Sequence, residues 1–147
     1  MKKALFRNED SVIQKKVTRL GSDGYVMFRM VFDPETGDTE CAVLGIHEHP
    51  AGIEPILPHY HREVEESVYV VSGEGTVKLG YNPDSMEEHR FKTGSCWFVP
   101  PECYHQIINT GSSPVKMIAS YFRNDGKLVS HRVVSEELTE VLNDNNT

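Results

Sequence analysis

The chain has few cysteines, and their arrangement excludes two classes of protein. Cys41, Cys96 and Cys103 are the three cysteines among 147 residues. They are odd in number and widely spaced, unlike the even set of a disulfide-bonded secreted domain or the paired thiolates of a zinc site. We therefore expect free thiols, and we expect Cys103 to be a small buried hydrophobic residue and not a nucleophile.

Two further absences concern membranes and nucleic acids. No apolar run approaches the roughly twenty residues that cross a bilayer, and Met1 to Ala4 lead into polar residues instead of an apolar signal segment. Lysine and arginine form no cluster, and the formal net charge is −7, which argues against a basic surface for nucleic acid. We expect a cytoplasmic protein with no membrane partner and no nucleic-acid partner.

Short segments rich in β-branched and aromatic residues, separated by turn residues, predict an all-β fold. Residues 26–32 and 41–49 are predicted to form a hairpin around the turn at 33–38. Further strands are predicted after Glu66 and at residues 76–81, 96–99, 106–109 and 115–122. Strands of this length and spacing indicate a barrel or a sandwich, with Val68, Val70, Val77, Leu79 and Ile107 among the inward residues.

Two helices are predicted outside the sheets, one near residues 8–20 and one at residues 135–142. Ser135 can cap the second helix, in which Leu138, Val141 and Leu142 share a stripe. The length of the chain suits one domain. We divide that domain into an N-terminal extension at 1–40 that packs on the barrel, the barrel at 41–123, and a C-terminal strand or helix with a frayed tail at 124–147.

His59 and His61 form the first candidate site. Pro55 and Pro58 precede them and disfavour a helix. In an extended segment, residues two apart project to the same side, so the two imidazoles can act as a chelating pair. Glu66 begins the apolar strand that follows, where an inward carboxylate is costly without a cation or hydrogen-bond donors.

His47 and His49 form a rival pair with the same spacing, and Glu54 lies at the same offset from His49 as Glu66 from His61. Pro50 and the glycine at position 52 interrupt the extended chain before Glu54, so we favour His59 and His61. We expect His47 or His49 to line the cavity. His89 and His131 have no such context and are interpreted as surface residues.

Two groups of residues follow one another along the chain with a recognisable spacing. They are Gly52, His59, His61, Glu66 and Gly73, then Gly94, Pro100, His105 and Asn109. These groups closely resemble the two motifs of the cupin superfamily, over residues 41–123. The resemblance implies a small single-domain jelly-roll barrel, or double-stranded β-helix, that holds one divalent metal through His59, His61, Glu66 and His105.

The chain departs from the motifs at two points. The stretch from Gly52 to His59 is one residue longer than usual, and Glu102 stands where glycine is common. Neither departure removes a ligand, although glycine at position 102 would permit a tighter turn before His105.

Three nitrogen donors and one carboxylate suit a first-row transition metal, and they do not select among iron, manganese, zinc and nickel. We expect an enzyme acting on a small oxygenated molecule inside the barrel, with dioxygenase-type oxidation favoured over sugar or keto-acid isomerase, decarboxylase or lyase chemistry. A non-catalytic, metal-mediated binding module is the alternative class.

Glu66, Tyr104 and Glu102 are the candidate acid-base or gating residues. The resemblance and the uncovered edges of a barrel imply a homodimer. Residues 1–40 are expected at its interface.

Overall fold

The computed structural model describes residues 2–18, 21–123 and 140–143. Within these residues the chain forms ten strands and two short 3-10 helices, Glu9–Ser11 and Pro34–Thr36. The strands are β1 Gln14–Thr18, β2 Tyr25–Phe32, β3 Val43–His49, β4 Val64–Ser72, β5 Glu74–Gly80, β6 Glu87–Lys92, β7 Cys96–Val99, β8 Tyr104–Asn109, β9 Val115–Arg123 and β10 Glu140–Asn143. The predicted all-β class is confirmed.

The strands form two antiparallel sheets that pack face to face. One sheet has seven strands in the order β10-β1-β2-β3-β9-β4-β7, and the other has three in the order β6-β5-β8. A single core cluster joins them, because Val68 and Met117 of the large sheet pack with Val77 and Phe91 of the small one. Both sheets therefore contribute to one interior.

Strand β4 shows how alternation fills that interior. Val64, Glu66, Val68 and Val70 are buried, whereas Ser67 between them is exposed. Side chains of a strand alternate between two faces, so the chain places one carboxylate in a row of valines. Val77 is also buried, and Leu79 and Ile107 pack against the same core, which confirms the predicted inward residues.

The hairpin predicted for residues 26–32 and 41–49 is confirmed as the antiparallel pair β2 and β3. Asp33 initiates its loop, because its Oδ1 atom accepts a hydrogen bond from the backbone N–H of Glu35 at 2.8 Å. Gly37 ends the short helix in that loop with a φ of 81°, a left-handed conformation that glycine adopts without steric cost.

The helix predicted near residues 8–20 is wrong. Residues 9–11 form a single 3-10 turn and residues 14–18 form β1, which pairs with β2. Val17 lies opposite Val26 in this ladder and is buried. Burial of Val17 and the cross-strand hydrogen bonds outweigh the weak local preference for helix.

The helix predicted at residues 135–142 is not observed. Residues 135–139 and the end of the tail lie outside the described residues, and residues 140–142 belong to β10, which pairs with the edge strand β1. Backbone pairing with that edge accounts for the extended conformation of residues 140–142. Strand β6 was not predicted, since Phe91 is its one buried residue.

The start of the chain contacts the first hairpin and the strand β9, while the division of the chain at residue 40 stays a prediction. The guanidinium group of Arg7 donates to Oδ2 of Asp38 at 2.6 Å and to the carbonyl oxygen of Val31 at 2.6 Å, and Glu9 pairs with Lys116 of β9. The three cysteines are free, as predicted. Among the described residues, no helix has the length and apolar character needed to cross a membrane.

The turn between β7 and β8 contains a strained residue. Glu102 has a φ of 65°, and it is the one non-glycine residue with positive φ in the described part of the chain. Its backbone N–H donates to the carbonyl oxygen of His61 at 2.8 Å. This hydrogen bond links the turn to the segment that carries His59 and His61.

We predict that Glu102→Gly stabilises the protein by about 0.5–1 kcal/mol, because glycine removes the cost of a Cβ atom in the left-handed region and loses part of this gain to backbone entropy. Glu102→Ala is the matched control, since it removes the exposed carboxylate but keeps the Cβ atom. Urea unfolding of the three proteins measures the difference. Equal stabilisation by glycine and alanine would show that backbone strain is not the cause.

Candidate metal centre

Main-chain pairing joins the two histidine segments. The backbone N–H of His59 donates to the carbonyl oxygen of His105 at 3.0 Å, and the N–H of His105 donates to the carbonyl oxygen of His59 at 2.7 Å. The two bonds form an isolated β-bridge, in which His105 belongs to β8 and His59 lies outside the named strands. Residues far apart in the sequence are thereby held side by side, with their segments extended as the proline pattern indicates.

The three imidazoles converge on one point. One ring nitrogen from each of His59, His61 and His105 lies within 4.8 Å of the others. The ring centroids of His59 and His105 are 4.0 Å apart, and those of His61 and His105 are 5.2 Å apart. These three histidines can hold a metal ion.

Glu66 reaches the same cluster from β4. Its Oε2 atom lies 3.3 Å from Nε2 of His105 and 3.6 Å from Nε2 of His61. Glu66 is therefore next to two of the three histidines, His61 and His105, from a different strand. Its expected role as a fourth ligand stays a prediction.

The donor set fits a divalent cation. Glu66 and His105 are each 2% exposed, and Oε2 of Glu66 has no hydrogen-bond partner among the described residues. Burial alone would raise the pKa of Glu66, but the imidazoles of His105 and His61 outweigh it and lower that pKa to about 2. An ionised, buried and incompletely bonded carboxylate beside three imidazoles has the composition of a metal site.

The rival pair, His47 and His49, lies on β3 near the same cluster and is not part of the three-histidine group. Burial lowers the pKa of His47 to about 4 and that of His49 to about 3, with neighbouring imidazoles acting in the same direction and Glu66 opposing them. Both rings are therefore neutral near pH 7. Their closeness to Glu66 agrees with the expectation that they line the cavity.

Tyr121 is a polar residue of the site that sequence reasoning missed. It lies on β9 directly opposite Glu66 of β4, is 1% exposed, and has its hydroxyl 2.9 Å from Nε2 of His47. Burial, followed by the charge of the neighbouring Glu66, raises the pKa of Tyr121 well above its usual value. The sequence did contain a signal for this residue. Val115, Met117 and Ala119 are the inward residues of β9, and Tyr121 continues the same alternation.

Tyr104 and Glu102, two of the candidate acid-base residues, lie away from the imidazoles. Tyr104 alternates with His105 on β8, and its ring contacts Tyr60 at a centroid distance of 4.9 Å. Glu102 is exposed at the turn. Their chemical roles stay predictions, whereas Glu66 lies within the cluster.

A β-barrel of two antiparallel sheets, with three histidines inside that could hold a metal ion, is the class of protein that this fold and this cluster define. The model of the family described as "Cupin domain" matches residues 45–121, just over half of the chain. The chain therefore belongs to the cupin family, as the two motifs indicated.

The names of similar proteins do not indicate one common activity. The chain is 30% identical over 93 residues to the uncharacterized protein MJ1618 of Methanocaldococcus jannaschii, covering 63% of this chain and 62% of that protein. The fold is similar to a predicted oxalate decarboxylase of Thermotoga maritima, with a TM-score of 0.68 and 19% identity over 81% of this chain and 99% of that one. It is also similar to Fe(II)-HppE, with a TM-score of 0.65 and 18% identity over 81% and 60% of the two chains.

We predict that His59→Ala and His105→Ala each reduce bound metal from about one equivalent to well below it, because each substitution removes one donor of the cluster. Elemental analysis after dialysis against a weak chelator measures the metal content. His89→Ala is the control, since His89 is exposed on β6 and pairs with Glu87. Retention of a full equivalent by both site variants would place the metal elsewhere.

Proposed function

We propose that the protein is a metal-dependent enzyme that oxidises a small oxygenated molecule with dioxygen. The observation that carries the proposal is the cluster of His59, His61, His105 and Glu66. The last three of these are buried, and one carboxylate oxygen is without a hydrogen-bond partner among the described residues. Four protein donors leave one or two positions of an octahedral ion free for a substrate. The similarity in fold to an Fe(II)-containing protein supports iron as the metal, without deciding it.

The chemistry would be divided between the metal and the protein. A bound divalent metal would supply open coordination positions and Lewis acidity and, as iron, a redox centre through which electrons pass from the oxidised substrate to dioxygen. His61 and His105 hold their side of the site rigidly, because both are buried and His105 is fixed by the bridge to His59. Glu66 contributes a negative charge, so the site is electrostatically more favourable for a divalent cation than for a neutral molecule.

The wall residues favour a particular kind of substrate. Val68, Val70 and Met117 make much of the interior apolar, while His47 and His49 add neutral imidazoles. We infer a compact, mostly apolar molecule with two oxygen atoms that can chelate the metal. Exclusion of water by the apolar wall would protect a reactive intermediate from side reactions.

An isomerase, decarboxylase or lyase is the second candidate, and the hydrogen bond between Tyr121 and His47 favours it. Such reactions move protons between carbon and oxygen, and a tyrosine hydroxyl next to an imidazole can carry a proton. The similarity in fold to a predicted oxalate decarboxylase of Thermotoga maritima agrees with this candidate.

Oxygen consumption separates these functions. We predict that the iron-loaded protein consumes dioxygen when a chelating substrate, such as a β-diketone or a catechol, is added, and that Glu66→Gln reduces the rate by at least about tenfold because a neutral amide is a poor replacement for an anionic ligand. An oxygen electrode and mass spectrometry of the products measure this. The His89→Ala protein is the control with an intact site.

Product formation without oxygen uptake, under anaerobic conditions, would overturn the oxidative proposal and support the isomerase or lyase. Tight binding of the small molecules without turnover, for every metal from iron to nickel, would instead support a non-catalytic binding module.

We also propose that a second copy of the chain covers the outer face of β4, β7 and β9. Tyr69 lies opposite Ile118, and Phe98 lies opposite Ser67, so their side chains form a continuous exposed patch with Phe122 nearby. Tyr69, Ile118, Phe98 and Ser67 are uncharged, and Glu65, opposite Phe122, is at the margin of the patch. The centre of the patch can therefore meet a second copy without a like-charge contact. A symmetric homodimer is the simplest partner for such a patch.

We predict that the protein is a dimer at micromolar concentration and that the double variant Phe98→Glu/Ile118→Glu is a monomer, because two buried carboxylates per subunit oppose association. Light scattering coupled to size-exclusion chromatography measures the mass. Tyr81→Glu is the control, since Tyr81 is exposed outside the patch. A monomeric parent protein would contradict the dimer.

A further inference from the structure

Two cross-strand pairs of inward side chains form a series of contacts, called the row below, over four neighbouring strands of the large sheet. Phe28 of β2 lies opposite His47 of β3, and Tyr121 of β9 lies opposite Glu66 of β4. The two pairs are offset along the strands, and the side chain of Tyr121 joins them, since its hydroxyl lies 2.9 Å from Nε2 of His47 and interacts with Glu66, its cross-strand neighbour. The row therefore connects Phe28 with the candidate metal centre.

The direction of the hydrogen bonds follows from the donors available. A phenol has one hydrogen to donate, and an ionised carboxylate can only accept. We therefore assign the hydroxyl hydrogen of Tyr121 to a bond with Glu66, and with this assignment Nε2 of His47 carries the hydrogen that Tyr121 accepts. This arrangement makes a charge-assisted bond to the carboxylate, which is stronger than a bond between neutral groups.

Packing fixes the far end of the row. The rings of Phe28 and His47 meet edge to face, with centroids 4.5 Å apart and an interplanar angle of 82°. Gly45 makes room for this contact, because a Cβ atom at position 45 would lie 2.6 Å from the ring of Phe28. Phe28 thus limits the movement of His47, and His47 in turn limits the movement of the Tyr121 hydroxyl.

We propose that Tyr121 and His47 form a positioning arm that orients the carboxylate of Glu66 for metal binding. The arm occupies one side of the carboxylate through Tyr121, and Oε2 is then directed towards Nε2 of His105 and His61, at 3.3 and 3.6 Å. Neither arm residue belongs to the group of three imidazoles that can hold an ion. The inference rests on the metal centre of the proposed function and assigns a role to two residues outside the ligand set.

Hydrogen-bonding partners of metal ligands typically contribute about 10–100-fold to metal affinity. We therefore expect Tyr121→Phe, which keeps the ring and removes the hydroxyl, to weaken Co²⁺ binding by at least about tenfold while one equivalent still binds at saturation. Competition with a chromophoric chelator measures the affinity, and the visible absorption of bound Co²⁺ reports on ligand geometry. Tyr81→Phe is the matched control, because Tyr81 is exposed and lies outside both the site and the patch.

Substitutions of His47 test the other half of the arm and carry the test alone if Tyr121→Phe does not fold. His47→Leu removes the donor and should weaken Co²⁺ binding, whereas His47→Gln can place an amide N–H near the position of Nε2 and should retain most of the affinity. In the double variant Tyr121→Phe/His47→Leu, the two losses should not add, because both act through one carboxylate. Circular dichroism checks that each variant is folded.

Wild-type affinity in Tyr121→Phe or in His47→Leu would overturn the positioning arm. Loss of a whole equivalent of Co²⁺ in His47→Leu would also overturn it, because His47 would then be a ligand. These measurements need no substrate. A protein that binds Co²⁺ as expected but whose iron form consumes no dioxygen would contradict the proposed oxidation and leave the arm in place, whereas absence of metal binding by the parent protein would overturn both.

Discussion

The structure depends on one buried charge, the carboxylate of Glu66, which lies on a strand of valines and is 2% exposed. A carboxylate in such surroundings destabilises a fold unless cations or hydrogen-bond donors surround it. The imidazoles of His61 and His105 and the hydroxyl of Tyr121 provide those surroundings. The groups of the site therefore also stabilise the fold, because the packing of β4 buries Glu66 and its charge must be compensated.

Antiparallel pairing explains how the compensating groups come together. Register places Tyr121 opposite Glu66, and the His59 bridge places His105 beside the first histidine segment. A shift of one residue in the register of β4 would move Glu66 to the outer face and expose Val68 and Val70. The apolar core and the metal centre thus select the same register, so packing energy and site geometry support each other.

Much of this could be predicted from local patterns. Alternation identified β4, β7 and β9 and placed Glu66 inward, while proline and the spacing of His59 and His61 indicated an extended chelating pair. The family resemblance supplied His105 as a partner, which the local pattern around it does not determine. The match of the family model to residues 45–121 agrees with that resemblance.

What could not be predicted depends on contacts between distant segments. Strand β1 has little apolar alternation, and its extended conformation follows from pairing with β2 and β10. Strand β6 consists mainly of charged residues and is held by β5. The link between His47 and Tyr121 joins residues 74 positions apart, so no local pattern contains it, although the inward parity of Tyr121 could have placed it inside the barrel.

The positions of His47 and His49 limit the chemistry that the interior can perform. Burial keeps both imidazoles neutral near pH 7, so they add hydrogen-bonding capacity to the cavity without adding positive charge. Under the proposed function, an anionic substrate would rely on the metal for charge compensation, because Glu66 already contributes negative charge and Tyr121 stays protonated. Such a site would favour a substrate that binds as a neutral molecule and loses its proton at the metal over one that enters as a dianion.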